Sequence, residues 1–190
     1  MFMLGTAESV LVQEKNIPMI IRKALPSEGH AVLALYHTVI DGMSGSPHKP
    51  KWQKGIYPTI DDITSAINNE ELYIAVSEDG VISGSVILRH KPEAGYESVS
   101  WGLDTQNYSV IHLLAVSPAQ QRSGVATALL ESARDVAREN GSEAIRLDTL
   151  PCNIPSQRLY ESFGFQYRGE VELYYSDTGS TAFKMYEYLF

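Results

Sequence analysis

Between Leu113 and Leu130 the chain reads LLAVSPAQQRSGVATALL, and this stretch leaves little choice of local structure. An apolar, β-rich run must end at Ser117-Pro118, because Pro118 has no N–H to give to a ladder. Soon after, Val125, Leu129, Ala133 and Val136 recur at helical spacing, and Gly141 supplies a stop. The spacing therefore predicts a strand, a tight turn and a helix over residues 124–140. The first turn of a helix offers unpaired N–H groups and a partial positive charge. An anion such as pyrophosphate can dock there, against Gln121, Arg122, Ser123, Gly124, Val125 and Ala126. Gly124 and Ala126 let the backbone come close, and Arg122 adds a cation. Read alone, the same residues equally suit an ordinary strand–turn–helix whose small side chains only ease packing. The two competing phosphate patterns, GxxxxGKS/T and GxGxxG, do not occur.

The flanking sequence builds a mixed fold around that unit. Residues 17–23 read as a first strand, and a helical pattern starts at Pro26-Ser27 with Val32, Leu33, Tyr36 and Ile40. Residues 42–55 are rich in Gly, Ser, Pro and Lys and read as an exposed loop. Thr59 and Asp62 have the spacing of a capping box, and Ile60, Ile63 and Ile67 give the following helix one apolar face. Residues 72–77 and 81–88 form a hairpin around Asp79-Gly80. Strands follow at 97–103 and 108–116, then the helix at 124–140, a strand at 144–148, a helix at 155–163 ending at Gly164, and strands at 165–175 and 182–189. This order predicts an α/β (α+β) sandwich around one sheet. At 190 residues the chain supports one sizeable core, so residues 1–190 are read as a single domain with residues 1–16 as a poorly structured extension.

Composition narrows the partners. A net charge of −8 disfavours nucleic acid and anionic membrane, and is compatible with a cationic substrate. The longest apolar stretch, residues 31–40, is interrupted by Tyr36, His37 and Thr38 and is too short to span a membrane. The N-terminus lacks a basic segment leading into a long apolar run, so no secretory signal is expected. Cys152 is the single cysteine, which excludes an internal disulfide and fits a reducing, cytoplasmic setting. His30, His37, His48 and His90 lack metal-ligand spacing, and no metal is expected.

A second pattern stands downstream of the strand at 144–148. Asn153 precedes a short helix on which Ser156 and Tyr160, four apart, share one face, and Gly164-Phe165 closes it. Taken by itself this is a capped helix with a glycine stop. The two patterns together, Val116, Pro118, Gln121, Gly124 and Ala126 followed by Asn153, Ser156, Tyr160, Gly164 and Phe165, resemble the GNAT superfamily of N-acetyltransferases. The resemblance is strong over residues 111–165 and extends more loosely to 52–62, which is similar to small uncharacterised members.

The resemblance implies a mostly antiparallel sheet, helices on both faces, and a splay between the strands at 108–116 and 144–148, the fourth and fifth of that fold. It implies acetyl-CoA as co-substrate and a primary amine as acceptor, with direct attack in a ternary complex. The backbone of Leu114, Ala115 and Val116 would hold pantetheine and thioester, and one N–H would polarise the carbonyl. Gln121 to Ala126 would hold pyrophosphate. Asn153 would bind the pantetheine arm, with Ser156 on the same helical face as Tyr160, which would protonate the leaving thiolate. His112 is the first candidate base: Val110-Ile111-His112-Leu113-Leu114-Ala115-Val116 resembles the H-x-H-x-L-A-V segment of serotonin N-acetyltransferase, with Val110 replacing one histidine. Glu97, on the expected preceding strand, is the alternative base; a hydrogen-bonded wall histidine is the other reading of His112. Trp52, Tyr57, Tyr73 and Trp101 are candidates for the acceptor pocket, whereas Tyr174, Tyr175, Tyr186 and Tyr188 read as plain strand residues. Members of the superfamily commonly form homodimers. The rival reading is a non-catalytic acyl-CoA-binding regulatory module on the same fold.

Overall fold

A computed structural model describes residues 19–49, 51–175 and 178–190. The expected extension at 1–16, and the start of the expected first strand, lie outside the described residues. The elements in order are β1 (Met19–Lys23), a 3-10 turn (Pro26–Glu28), α1 (Gly29–Gly42), α2 (Ile60–Asn68), β2 (Leu72–Ser77), β3 (Ile82–Arg89), β4 (Tyr108–Val116), α3 (Val125–Glu139), β5 (Ala144–Thr149), α4 (Ile154–Phe163), β6 (Gln166–Tyr175) and β7 (Gly179–Leu189). The strands form one sheet in the order β1-β2-β3-β4-β5-β7-β6. Every neighbouring pair is antiparallel except β4 and β5, which run parallel.

Local chemistry explains most boundaries. Thr59 Oγ1 accepts from the Asp62 N–H, and the Asp62 carboxylate accepts from the Thr59 N–H, so the capping box starts α2. Gly80 takes a left-handed φ of 80° in the turn between β2 and β3, which a side chain would resist. On α1 the buried stripe is Val32, Leu35, Tyr36 and Val39; Leu33 and Ile40 lie on its shoulders, half-buried.

The expected strand at 97–103 does not form. Tyr96–Ser98 makes a 3-10 turn, entered through Gly95 at φ 88°, and the chain beyond it is irregular. Side chains take the backbone bonds that a ladder would need: the Trp101 indole N–H donates to the Tyr96 carbonyl, and the Gly102 N–H donates to the Glu187 carboxylate. The alternation in ESVSWGL imitates a strand, but Tyr96 and Val99 are buried beneath an irregular flap.

Both faces of the sheet are covered. Tyr73, Ala75, Val86 and Leu88 meet Val125, Leu129, Leu130 and Ala133 of α3. Leu72, Ile74 and Ile87, of opposite parity, meet Val32, Tyr36 and Val39 of α1 and Ile63 and Ile67 of α2. Gly84 lets α3 settle on β3, since a Cβ there would stand 2.8 Å from Val125 Cγ1 and 2.9 Å from Leu129 Cδ1. Among the described residues no helix is long and apolar enough to cross a membrane.

Glu187 of β7 locks β5 to its neighbours. Fully buried, it accepts from Arg146 Nε at 3.1 Å, Arg168 Nε at 2.9 Å and the Gly102 N–H at 2.7 Å. Arg146 is itself sandwiched between Trp101 and Tyr108, 4.4 and 4.0 Å from the ring centroids. Removing one partner of a buried ion pair strands the others. Glu187→Ala is therefore expected to lower stability by about 3–5 kcal/mol, measured by urea unfolding; a loss below about 1 kcal/mol would show that the cluster does not anchor β5.

Candidate active site

β4 and β5 pair only through Tyr108, Ser109 and Val110 against Ala144, Ile145 and Arg146. Beyond that point each follows its other neighbour: β4 stays on β3 as far as Val116, and β5 stays on β7 as far as Thr149. The expected splay opens between them as a groove of about 580 Å³. One mouth is framed by Gln121, Gly124 and Ala126 at the start of α3, with Ser156 and Tyr160 of α4. The other is framed by Val39 and Met43 of α1 with Trp52 and Tyr57 of the following loop. Since α1 and α3 cover opposite faces, the groove passes through the sheet.

The β4 wall is irregular by construction. Three steps on β4, from His112 to Ala115, match two on β3, from Ile87 to Ser85, so an extra residue bulges out. Leu113 sits there at φ 50°, a left-handed conformation that costs a leucine energy. Tyr36 holds it: its buried phenol donates to the Leu113 carbonyl at 2.7 Å and accepts from Ser85 Oγ at 2.9 Å. In a trans peptide the next N–H points the opposite way, so the Leu114 N–H is turned away from Tyr36. Further along, the Ser117 N–H bonds the Ser83 carbonyl, and alternation sends the Val116 backbone groups toward the vacant side.

The turn into α3 has the form expected of an anion site. Arg122 and Gly124 both have left-handed φ, 64° and 84°. Gly124 caps α3 without any side-chain bond, and the first helical bond is that of the Ala128 N–H to the Gly124 carbonyl. The N–H groups of Val125, Ala126 and Thr127 therefore have no helical acceptor. No atom lies within 4 Å of where a Gly124 Cβ would project. Gln121, Arg122, Gly124, Val125 and Ala126 line the groove. Ser123 does not line it and instead donates its hydroxyl to the Gln120 carbonyl.

On the facing side Asn153 caps α4, its side-chain oxygen accepting from the Ser156 N–H at 3.4 Å. Asn153, Ser156 and Tyr160 all line the groove. Tyr160 is buried against Phe165 and Tyr186. Burial, and then the charge of Asp148, push its phenol pKa upward against an opposing interaction with Ser156. The proton is thereby held on the phenol.

The two candidate bases separate. His112 lines the groove, whereas Glu97 is exposed on the 3-10 turn and lines only a smaller neighbouring pocket. The carboxylate beside His112 is that of Glu93, with Oε2 3.0 Å from Nε2. The contact lies off the hydrogen-bond direction and leaves the Nε2 bond unmade. Burial raises the Glu93 pKa, but His112, Arg89 and Lys91 together outweigh it and hold the carboxyl below its ordinary value. Of the aromatic candidates Trp52 and Tyr57 line the groove, while Tyr73 is core and Trp101 borders the smaller pocket. Cys152 is exposed and is not among the lining residues. Among the described residues no cluster suits a metal.

Three functional groups escape sequence reasoning: Glu93, Asp148 and Tyr175. Asp148 lines the groove, and its Oδ2 accepts from Tyr96 and Tyr175 at 2.8 and 2.9 Å. The signal available was a carboxylate at the end of β5, on the same parity as Arg146, beside the expected splay. Burial raises the Asp148 pKa and Glu93 adds to it, against His112 and the two phenols. A carboxyl raised on folding makes the folded state bind protons more tightly than the unfolded chain, so ionised Asp148 lowers stability above its unfolded pKa. Asp148→Asn is expected to raise Tm near pH ~7.5, with the gain fading as pH falls toward about 4. An unchanged or lower Tm near pH ~7.5 would contradict this.

The sequence model of the Acetyltransferase (GNAT) family matches residues 34–165. A Bacillus subtilis strain 168 protein named as a candidate ribosomal protein bS18-alanine N-acetyltransferase is 27% identical over 123 residues, 65% of this chain and 80% of that one. Streptothricin acetyltransferase of Streptomyces lavendulae is 28% identical over 108 residues, 57% of this chain and 51% of that one. A GNAT-family acetyltransferase from Streptococcus agalactiae 2603 superposes with a TM-score of 0.76 at 23% identity, over 90% of this chain and 95% of its own. A Salmonella typhimurium protein solved with its cofactor acetyl-CoA superposes with a TM-score of 0.66 at 19% identity, over 90% and 94%. At those identities the structures speak for the fold alone. The family match covers β4, α3, β5 and α4, the elements that build the groove, and the chain belongs to the GNAT family of acetyltransferases.

Proposed function

We propose that the protein transfers the acetyl group of acetyl-CoA to a primary amine of a small molecule, amino acid or peptide, by direct attack in a ternary complex. The observation that supports this most is the groove through the sheet, which gives a donor and an acceptor separate mouths and one meeting point. The family uses acetyl-CoA, and the residues at the α3 mouth fit it. Bound there, acetyl-CoA supplies an activated thioester carbonyl and a thiolate leaving group.

The chain's own residues then divide the work. The unbonded N–H groups of Val125, Ala126 and Thr127, with Arg122 and Gln121, hold the pyrophosphate. The backbone groups of Val116 and Leu114 on the unpaired side of β4 hold the pantetheine arm as an added strand would be held, with Ala115 between them paired to Ser85 of β3 and Asn153 opposite. The Leu114 N–H, fixed by Tyr36 through the preceding carbonyl, donates to the thioester oxygen as charge develops there. Tyr160, whose proton is held by burial, protonates the departing sulfur. His112, with Glu93 beside it, takes the proton of the acceptor amine. Glu97, exposed and away from the groove, has no part in this scheme.

The test is release of free thiol from acetyl-CoA when an amine is added. Tyr160→Phe should retain the KM for acetyl-CoA and lose kcat by about 100-fold. Full turnover at saturating substrates would remove Tyr160 from the chemistry. Tight CoA binding with no thiol release across a broad amine panel would instead favour a binding module.

A further inference from the structure

On the α1 side of the groove stands a carboxylate to which, among the described residues, no cation is bonded. Along β5, Ile145 and Leu147 pack with the α3 core, so Arg146, Asp148 and Leu150 alternate to the opposite face. Both phenol donors, from Tyr96 and Tyr175, converge on Asp148 Oδ2, and among the described residues none donates to Oδ1. Asp148 is the one carboxylate among the lining residues. None of the nearby cations bonds Asp148. Lys51 Nζ donates to Thr181 Oγ1, Arg122 stands in the turn before α3, and Arg89 sits with Glu71 and Glu93. Trp52, Tyr57, Phe183, Leu150 and Val39 give the lining aromatic and aliphatic surface, beside the hydroxyls of Thr149 and Thr178.

A half-buried carboxylate is costly to hold ionised without a cation. A primary ammonium supplies the missing charge and three N–H donors, and aromatic faces favour it further. Position supports the same occupant. The charge of Asp148 acts on the Tyr160 phenol, and His112 lines the same groove, so the carboxylate stands near both the proposed acid and the proposed base. A carboxylate on the carbon next to the amine would be brought close to the carboxylate that holds the amine, and would meet the repulsion of Asp148 and Glu93.

Resting on the acetyltransferase reading, we propose that Asp148 is the acceptor-recognition residue, binding the acceptor as an alkylammonium on an uncharged stem that has no carboxylate beside the amine. This narrows the acceptor class: amines and amine-bearing side chains are admitted, and free α-amino acids reacting at their α-amino group are excluded.

Calorimetric titration of the CoA-saturated protein tests this with three matched probes: pentylamine, pentanol and norleucine. Pentylamine is expected to bind at least about 10-fold more tightly than either of the others, as one charge-assisted contact allows. Asp148→Asn, nearly isosteric and able to accept from the two phenols, is expected to lose that margin while keeping the CoA affinity. Norleucine or pentanol binding as well as pentylamine, pentylamine binding equally to both proteins, or no binding of pentylamine to the native chain would each overturn the proposal. The three-probe comparison on the native chain decides the matter even if the variant does not fold. Thiol release is read separately. Selective pentylamine binding that needs Asp148, without thiol release from acetyl-CoA, would leave the amine site standing and bring down the transferase reading.

Discussion

Everything functional in this molecule depends on two adjacent parallel strands parting after three residue pairs. Hydrogen bonding normally keeps neighbouring strands together, so a gap inside a sheet persists only if each strand is held from its other side. β4 is held by its ladder to β3 and by the Tyr36 phenol on the Leu113 carbonyl. β5 is held by six register pairs to β7 and by the buried Glu187 beneath Arg146. The left-handed Leu113 is the local cost of the arrangement, and it lies where a backbone N–H has to be re-aimed.

The same gap sorts the charges. At the α3 mouth the chain presents backbone N–H groups and Arg122, a surface for anions. At the α1 mouth it presents the Asp148 carboxylate, with Glu93 behind His112 and Lys51 beside Trp52. Donor and acceptor of an acetyl transfer to an amine differ in charge in this way. The overall charge of −8 does not reveal the division, because it comes from the placement of a few side chains on a split sheet.

The α3 and α4 end of the groove was legible in the sequence because its geometry is local. Pro118 and Gly124 punctuate one strand–turn–helix, and Asn153, Ser156 and Tyr160 share one short helix, so spacing carries the geometry. The α1 end is assembled from afar. Glu93 reaches His112 from the irregular stretch between β3 and the 3-10 turn at Tyr96, and Tyr96 and Tyr175 reach Asp148 across 52 and 27 residues of chain. Glu97 suits a base only if 97–103 is a strand; in the 3-10 turn it is exposed, and Glu93 has the contact. The stripe on α1 was half legible, since Leu33 and Ile40 flank the buried row without belonging to it.

The central claim is that the unpaired edge of β4 and the first turn of α3 form one binding surface for acetyl-CoA. Amide hydrogen exchange with and without saturating CoA tests it most directly. Slowed exchange is predicted at Leu114, Val116 and Val125 to Thr127, with β1 and β2 unchanged. Saturation with CoA that leaves those amides exchanging at the free rate would contradict the account.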